Sequence, residues 1–262
     1  MISKYLDFLE ELEEIINYEG NLEIGQTQTY LLEKYKERAK KLRGDVKGGQ
    51  RGHLGQLMIQ GYTNDNSKEP DIEEEDTELK TCVFECNEDN LTVKEWVKII
   101  GLADYVNAGH VPTNLLNFPH ALKKMKCAGY NCWLVHPDDA TVSFYLGIVT
   151  HYASDQLLDI WAQEYSLIAE YVNEKIHDGI RQGIYPMELI SWTECRKTKF
   201  KGANTYLGLK QYGKGKNNPK KYGLYFRSHF VRSVLLPNSY IKKNESFAKF
   251  LVEYCRYHDF DV

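Results

Sequence analysis

Apolar residues near the start fall at Leu6, Leu9, Leu12, Ile15 and Ile16, the spacing of one helix face, and Gly20 can stop that helix. Tyr30, Leu31, Tyr35, Ala39 and Leu42 predict a second helix, so residues 1–45 read as a helical part. A Gly-rich basic stretch follows, GDVKGGQRGHLG, and a short helix is expected to begin near Gly52 and carry Leu54, Leu57, Met58 and Gln60. Residues 64–70 form a polar loop, and 78–84 read as a buried strand. Thr92 and Glu95 fit a capping box opening a helix with Trp96, Ile99 and Ile100. Strands are expected at 131–135 and 142–149. Ser154 should cap a long helix bearing Leu157, Ile160, Trp161, Ile168, Val172 and Ile176, with Gly179 as its stop. Segments 188–195 and 203–209 suggest a strand pair, and 210–221 a Gly/Lys/Asn loop. Residues 222–236 suggest a strand passing into a short helix, and Phe247, Phe250, Leu251 and Tyr254 a terminal helix. The fold class is α/β or α+β, organised as a single domain over 1–262.

Composition supports a packed core: 42% of the 262 residues are hydrophobic. No apolar run approaches the roughly 18–20 residues of a membrane span. The opening MISKYLDFLEELEEIINYEG is acidic and amphipathic, unlike a signal peptide, so the expected location is cytoplasmic. The six cysteines are then most simply reduced thiols. Cys82, Cys86, Cys127 and Cys132 could gather round zinc, although their spacings are loose for it.

Charge is distributed unevenly. The net charge is −4, yet residues 196–243 hold thirteen Lys and Arg and no Asp or Glu, leaving −17 on the rest of the chain. A basic solvated surface would have this look, as would a polyanion-binding face on an acidic enzyme. The length of the acid-free stretch favours phosphate contacts.

The run PDIEEEDTELK ends in Glu-x-Lys, with Asp71 seven residues before Glu78. A strand places Glu78 and Lys80 on one face. If the preceding loop returns Asp71 to that face, two carboxylates and an ammonium converge. Hard oxygen ligands suit Mg²⁺, and a lysine can hold an attacking water, a set suited to phosphodiester cleavage. Such a run is by itself more often a solvated acidic loop. The eight histidines show no metal-ligand spacing, and His53 and His229 read as structural or exposed.

Three stretches resemble one family. RGHLGQLMIQG followed by EPDIEEEDTELKT resembles the KGxxG…PD…(V/I)ELKT region of the MutH-type mismatch-repair nicking endonucleases. It also resembles that of the related Sau-type restriction enzymes, which cut at GATC. DQLLDIWAQEYSLIAEYV looks like the long helix after the family's central strands. KGANTY with the later YGLYFRSHFVRSVLL looks like its KAAN…GFYLKKNFTSALL ending. The resemblance covers about half the chain and implies a PD-(D/E)xK nuclease core, a mixed sheet flanked by helices. It implies Asp71 and Glu78 as ligands of Mg²⁺ and Lys80 as the catalytic lysine. DNA contacts are implied at Arg51 (where the family has a lysine), Lys199, Lys201 and Arg227, and at Lys123 in HALKK. Tyr225 matches a tyrosine the family uses near its target adenine, although a core tyrosine reads equally well there. The family also has a Glu four residues past the second glycine of KGxxG. This chain has Ile59 there, with Gln60 beside it, and Ala121 stands where a family lysine matches best.

The expected function is a Mg²⁺-dependent, sequence-specific endonuclease acting on double-stranded DNA. A type II restriction enzyme cutting a short palindrome, with GATC as first candidate, fits best. A transient dimer on DNA and a methyltransferase encoded nearby would accompany it. A MutH-like strand-nicking enzyme and a non-catalytic DNA-binding protein on the same fold are the competing readings.

Overall fold

In a computed structural model of the chain, the run expected as a buried strand is β1, Glu78–Asn87. The structure describes residues 31, 50–60, 71–72, 77–87, 90–135, 143–191, 206–213 and 219–235. The expected helices near the two ends, Lys199, Lys201 and the 236–243 end of the basic segment lie outside the described residues; of the first two helices only Leu31 is described.

The architecture is mixed α and β, with a mixed sheet flanked by helices, and the chain divides into two units. The first comprises Met1–Glu95, Cys127–His151 and Val231–Val262. It holds helix α1 (Gln50–Gln60), β1, β2 (Asn90–Val93), β4 (Cys127–Val135) and most of β5 (Ser143–Tyr152). The sheet order is β2-β1-β4-β5. β2 returns antiparallel to β1, pairing Phe84 with Val93 and Asn87 with Asn90. β4 runs parallel to β1, pairing Glu78 with Ala128 and Phe84 with Leu134. A parallel pair needs a long crossover, and the segment between β2 and β4 supplies it. All nine β4 residues are buried, as expected of a strand covered on both faces.

The register divides β1 and β4 into two faces. Leu79, Thr81 and Val83 pair with Gly129, Asn131 and Trp133, and Glu78, Lys80 and Cys82 with Ala128, Tyr130 and Cys132. Helix α1 lies against the first set. A Cβ on Gly52 would stand 3.1 Å from Thr81 Oγ1, and one on Gly55 only 2.1 Å from Asn131 Nδ2. The glycines of RGHLG therefore let the helix backbone lie on the sheet. Leu54 joins Leu31, Trp133 and Tyr145 in the core beside them.

The second unit comprises Trp96–Lys126 and Tyr152–Phe230. It contains β3 (Val97–Gly101), α2 (Ala103–Asn107), a 3-10 turn (Leu115–Asn117), α3 (Pro119–Lys126) and α4 (Asp155–Gln182). A second 3-10 turn (Pro186–Leu189), β6 (Leu207–Gln211) and β7 (Tyr222–Phe226) complete it. The strands form an antiparallel sheet ordered β3-β7-β6. Trp161 of α4 packs against Phe226 with ring centroids 5.1 Å apart, which buries one face of that sheet. Helix α5 (Ser228–Leu235) follows β7, as the expected strand-to-helix transition requires.

Several elements differ from expectation. No helix opens at Thr92: the chain makes β2 and then β3. The Thr92 hydroxyl donates across the β1–β2 pair to the Glu85 carbonyl at 3.4 Å, and the β-branched Val97 and Ile100 find strand partners in β7, with the register shifting between Lys98 and Ile100. Ser154 does cap α4, accepting from Leu157 N–H at 3.3 Å, but the helix runs past Gly179. Its stop is Gly183, at φ 65°, where Ile184 N–H reaches Gly179 C=O and Gly183 N–H reaches Ile180 C=O. Gly179 instead admits the returning chain, since a Cβ there would meet Ile184 O at 2.6 Å. Residues 188–189 belong to the turn begun by Pro186, β6 pairs with β7, and residues 192–205 of the expected strand pair lie outside the described residues. Among the described residues no helix is long and apolar enough to cross a membrane.

Candidate active site

The loop before β1 turns back on the start of the strand. Ile72 and Thr77 form an antiparallel bridge, with Ile72 N–H to Thr77 C=O at 2.9 Å and Thr77 N–H to Ile72 C=O at 3.0 Å. One step outward in that register, Asp71 stands opposite Glu78. Among the described residues, β2 pairs with the far half of β1, from Phe84 to Asn87. The Asp71 Oδ2 atom accepts from the Leu79 N–H at 2.9 Å. Two backbone hydrogen bonds and one side-chain hydrogen bond thus fix Asp71 at the head of the strand.

Glu78 and Lys80 share the face of β1 turned away from α1, and their side chains form an ion pair. The Glu78 side chain is 4% exposed and that of Lys80 13%, so the pair is largely out of water. A carboxylate this buried requires a cation beside it, and Lys80 supplies one. Thr77, also buried, shares a 2.9 Å hydrogen bond with Cys127 Sγ, which ties the start of β1 to the start of β4.

Helix α1 brings Gln56, which the sequence reading did not single out. Its Nε2 donates to Asp71 Oδ1 at 3.4 Å, while Asp71 Oδ2 holds Leu79 N–H. The signal was present: Gln56 directly follows the second glycine of RGHLG, and that glycine sets the helix on the sheet. The side chains of Ile59 and Gln60 lie outside the described residues. Arg51 begins the same helix. Its Nε donates to the buried Ser143 hydroxyl at 2.8 Å; burial lowers its pKa, against the opposing charges of Glu85 and Glu95. Arg51 is therefore anchored to β5, half-buried.

Cys82 and Cys132 are buried free thiols paired in register on β1 and β4. Burial pushes both thiols, and the neighbouring Tyr130 phenol, well above their ordinary values. That environment suits neutral core thiols. Among the described residues no group of three or more His, Cys, Asp or Glu side chains gathers as a metal cluster. Asp71 and Glu78 are a two-carboxylate set. They suit Mg²⁺, which takes one or two protein carboxylates and fills its shell with water and phosphate oxygens.

The other residues named from the sequence lie in the second unit. Lys123 is exposed in the last turn of α3, with Lys124 and Lys126 nearby. Tyr225 sits on the central strand β7 and is 6% exposed. Arg227 lies over the Trp96 ring, 5.1 Å from its centroid. No family model matches the chain, and no curated protein matches it.

Proposed function

We propose that the chain is a Mg²⁺-dependent DNA endonuclease built on a PD-(D/E)xK core and related to the MutH and Sau-type enzymes. The observation that carries this reading is the head of β1, where the Ile72–Thr77 bridge and the Asp71 bond to the Leu79 N–H bring Asp71 to the same strand end as the Glu78–Lys80 ion pair. The parallel β1–β4 pair and the α1 helix laid on it by two glycines agree with such a core.

The residues divide the work as follows. Asp71 and Glu78 would hold the metal ion, and Gln56 orients the Asp71 carboxylate from α1. When bound, Mg²⁺ supplies Lewis acidity toward a phosphate oxygen and lowers the pKa of a water. Lys80 exchanges its Glu78 partner for the attacking water and then offsets the charge that develops on the phosphorane. The products are a 5′-phosphate and a 3′-hydroxyl. Arg51, Lys123, Lys199, Lys201 and Arg227 are proposed as phosphate contacts, and the partner is double-stranded DNA.

Type II restriction at a short palindrome, with GATC first, is the preferred activity. The test is digestion of long methylated and unmethylated DNA with Mg²⁺ and with EDTA, followed by sequencing of the ends. Metal-dependent cutting at one repeated site is the expected result. Fragments that form equally well in EDTA, or no cutting of any substrate, would defeat the proposal.

A further inference from the structure

The outer face of the β3-β7-β6 sheet carries a layer that its sequence does not advertise. One face of that sheet, with Leu209, Leu224 and Phe226, is buried. On the other face, Lys98, Tyr225 and Gly208 form one cross-strand row, and Gly101, Gly223 and Lys210 form the next. Three glycines in two adjacent rows leave the backbone bare, and aromatic rings lie on it. A Cβ on Gly208 would stand 2.5 Å from the Trp96 ring. One on Gly101 would stand 2.2 Å from the Tyr212 hydroxyl, and one on Gly223 would meet both Tyr212 and Tyr225, at 3.3 and 3.2 Å.

Each ring carries a cation. Arg227 lies 5.1 Å from the Trp96 centroid, Lys98 Nζ 3.6 Å from that of Tyr212, and Lys210 Nζ 5.7 Å from that of Tyr225. Lys98 is exposed, and Trp96, Lys210, Tyr212 and Arg227 are half-buried. Among the described residues, Asp104 and Glu164 bear on this layer. Asp104 adds its charge near Tyr212. Glu164 feels Arg227, but its oxygens are occupied by the Tyr206 and Leu207 N–H groups at 2.8–3.0 Å. A cation on an aromatic ring keeps its full charge and part of its donor capacity, and ordering its stem beforehand lowers the entropy cost of a further contact.

We propose that this layer is a duplex-DNA backbone surface, with Lys98 and Lys210 as phosphate contacts on either side of Tyr225. The proposal rests on the endonuclease reading above and extends it to two lysines that the family resemblance did not mark. Charge complementarity selects the occupant: three preordered cations on a ring-covered sheet face match a row of phosphates.

The test is binding of a fluorescent duplex by the full chain carrying Asp71→Asn, without divalent metal, over 50–200 mM salt. Lys98→Gln with Lys210→Gln should flatten the slope of log K against log salt by about 2, since each lost phosphate contact removes about 0.9. Over that salt range the loss of affinity should shrink by roughly tenfold relative to the parent. Lys98→Arg with Lys210→Arg, which keeps both charges on their rings, should retain the parent slope. An unchanged slope in the Gln pair, with the parent binding duplex normally, overturns this surface and leaves the nuclease reading intact. A parent that binds no duplex at any salt overturns both.

Discussion

Replacing Gly55 by alanine tests how α1 is seated. Alanine in an open helix position would stabilise the chain by about 1 kcal/mol over glycine. Here the new Cβ would lie 2.1 Å from Asn131 Nδ2 and 2.7 Å from its Cγ, closer than any real contact. Asn131 has little room to yield, being 1% exposed and accepting from the Tyr145 hydroxyl at 3.1 Å. Overpacking of this kind costs about 1–3 kcal/mol, and loss of the Asn131–Tyr145 bond about 1 more. The net expectation for Gly55→Ala is a destabilisation of about 2 kcal/mol. Urea denaturation monitored by tryptophan fluorescence measures it. Gly52→Ala is the internal comparison: its Cβ would meet Thr81 Oγ1 at 3.1 Å, a contact that a small shift relieves. It should cost about 1 kcal/mol less than Gly55→Ala. Because Gln56 is the next residue, a displaced α1 should also withdraw its amide from Asp71 and slow cleavage in the folded fraction. A Gly55→Ala protein more stable than wild type would refute the close packing of α1 on β4.

Tyr225→Ala, at a 94% buried ring site on the central strand, should cost about 3–5 kcal/mol, whereas Tyr225→Phe should keep the fold; methylation discrimination is therefore read from the Phe variant by cutting methylated against unmethylated duplex. Thr92→Val should change stability by less than about 0.5 kcal/mol in urea, since the residue sits in a strand and caps no helix. Burial raises the Glu164 pKa above the usual 4.5, and the two backbone N–H groups and Arg227 only partly offset it. A carboxyl with a raised native pKa binds its proton more tightly when folded. Its contribution is thus fully present below the unfolded value and lost as pH rises through the native one. Wild type should gain stability relative to Glu164→Gln as pH falls from 7 toward 4.5, and a difference flat in pH would contradict the burial of that carboxylate.

Elements set by local pattern were legible in the sequence. Leu54 and Leu57 mark α1, the apolar run after Glu78 marks β1, and Ser154 with its helical apolar stripe marks α4. The Asp71…Glu78-x-Lys80 spacing also indicated which side chains the loop brings to one strand end. Long-range pairing was not legible. Residues 97–101 carry helix-compatible spacing, but β7, over 120 residues later, offers them a strand partner. Glycine misled for a related reason: Gly179 and Gly183 are both plausible stops, and only the tertiary return of the chain tells a close approach from a left-handed cap. Gln56, which meets Asp71, was not singled out, because the seating of α1 depends on Asn131, a residue of a distant strand.

Single-turnover cleavage of a duplex by wild type, Asp71→Asn, Glu78→Gln and Lys80→Met is the most direct test of the site built on the Ile72–Thr77 bridge. Duplex binding is measured alongside in Ca²⁺. The expected result is loss of cleavage by at least about a hundredfold in each variant, equivalent to about 2.7 kcal/mol of barrier, with duplex binding retained. Cleavage at the wild-type rate in any one of the three, with its fold intact, would contradict the assignment of Asp71, Glu78 and Lys80 as the catalytic group.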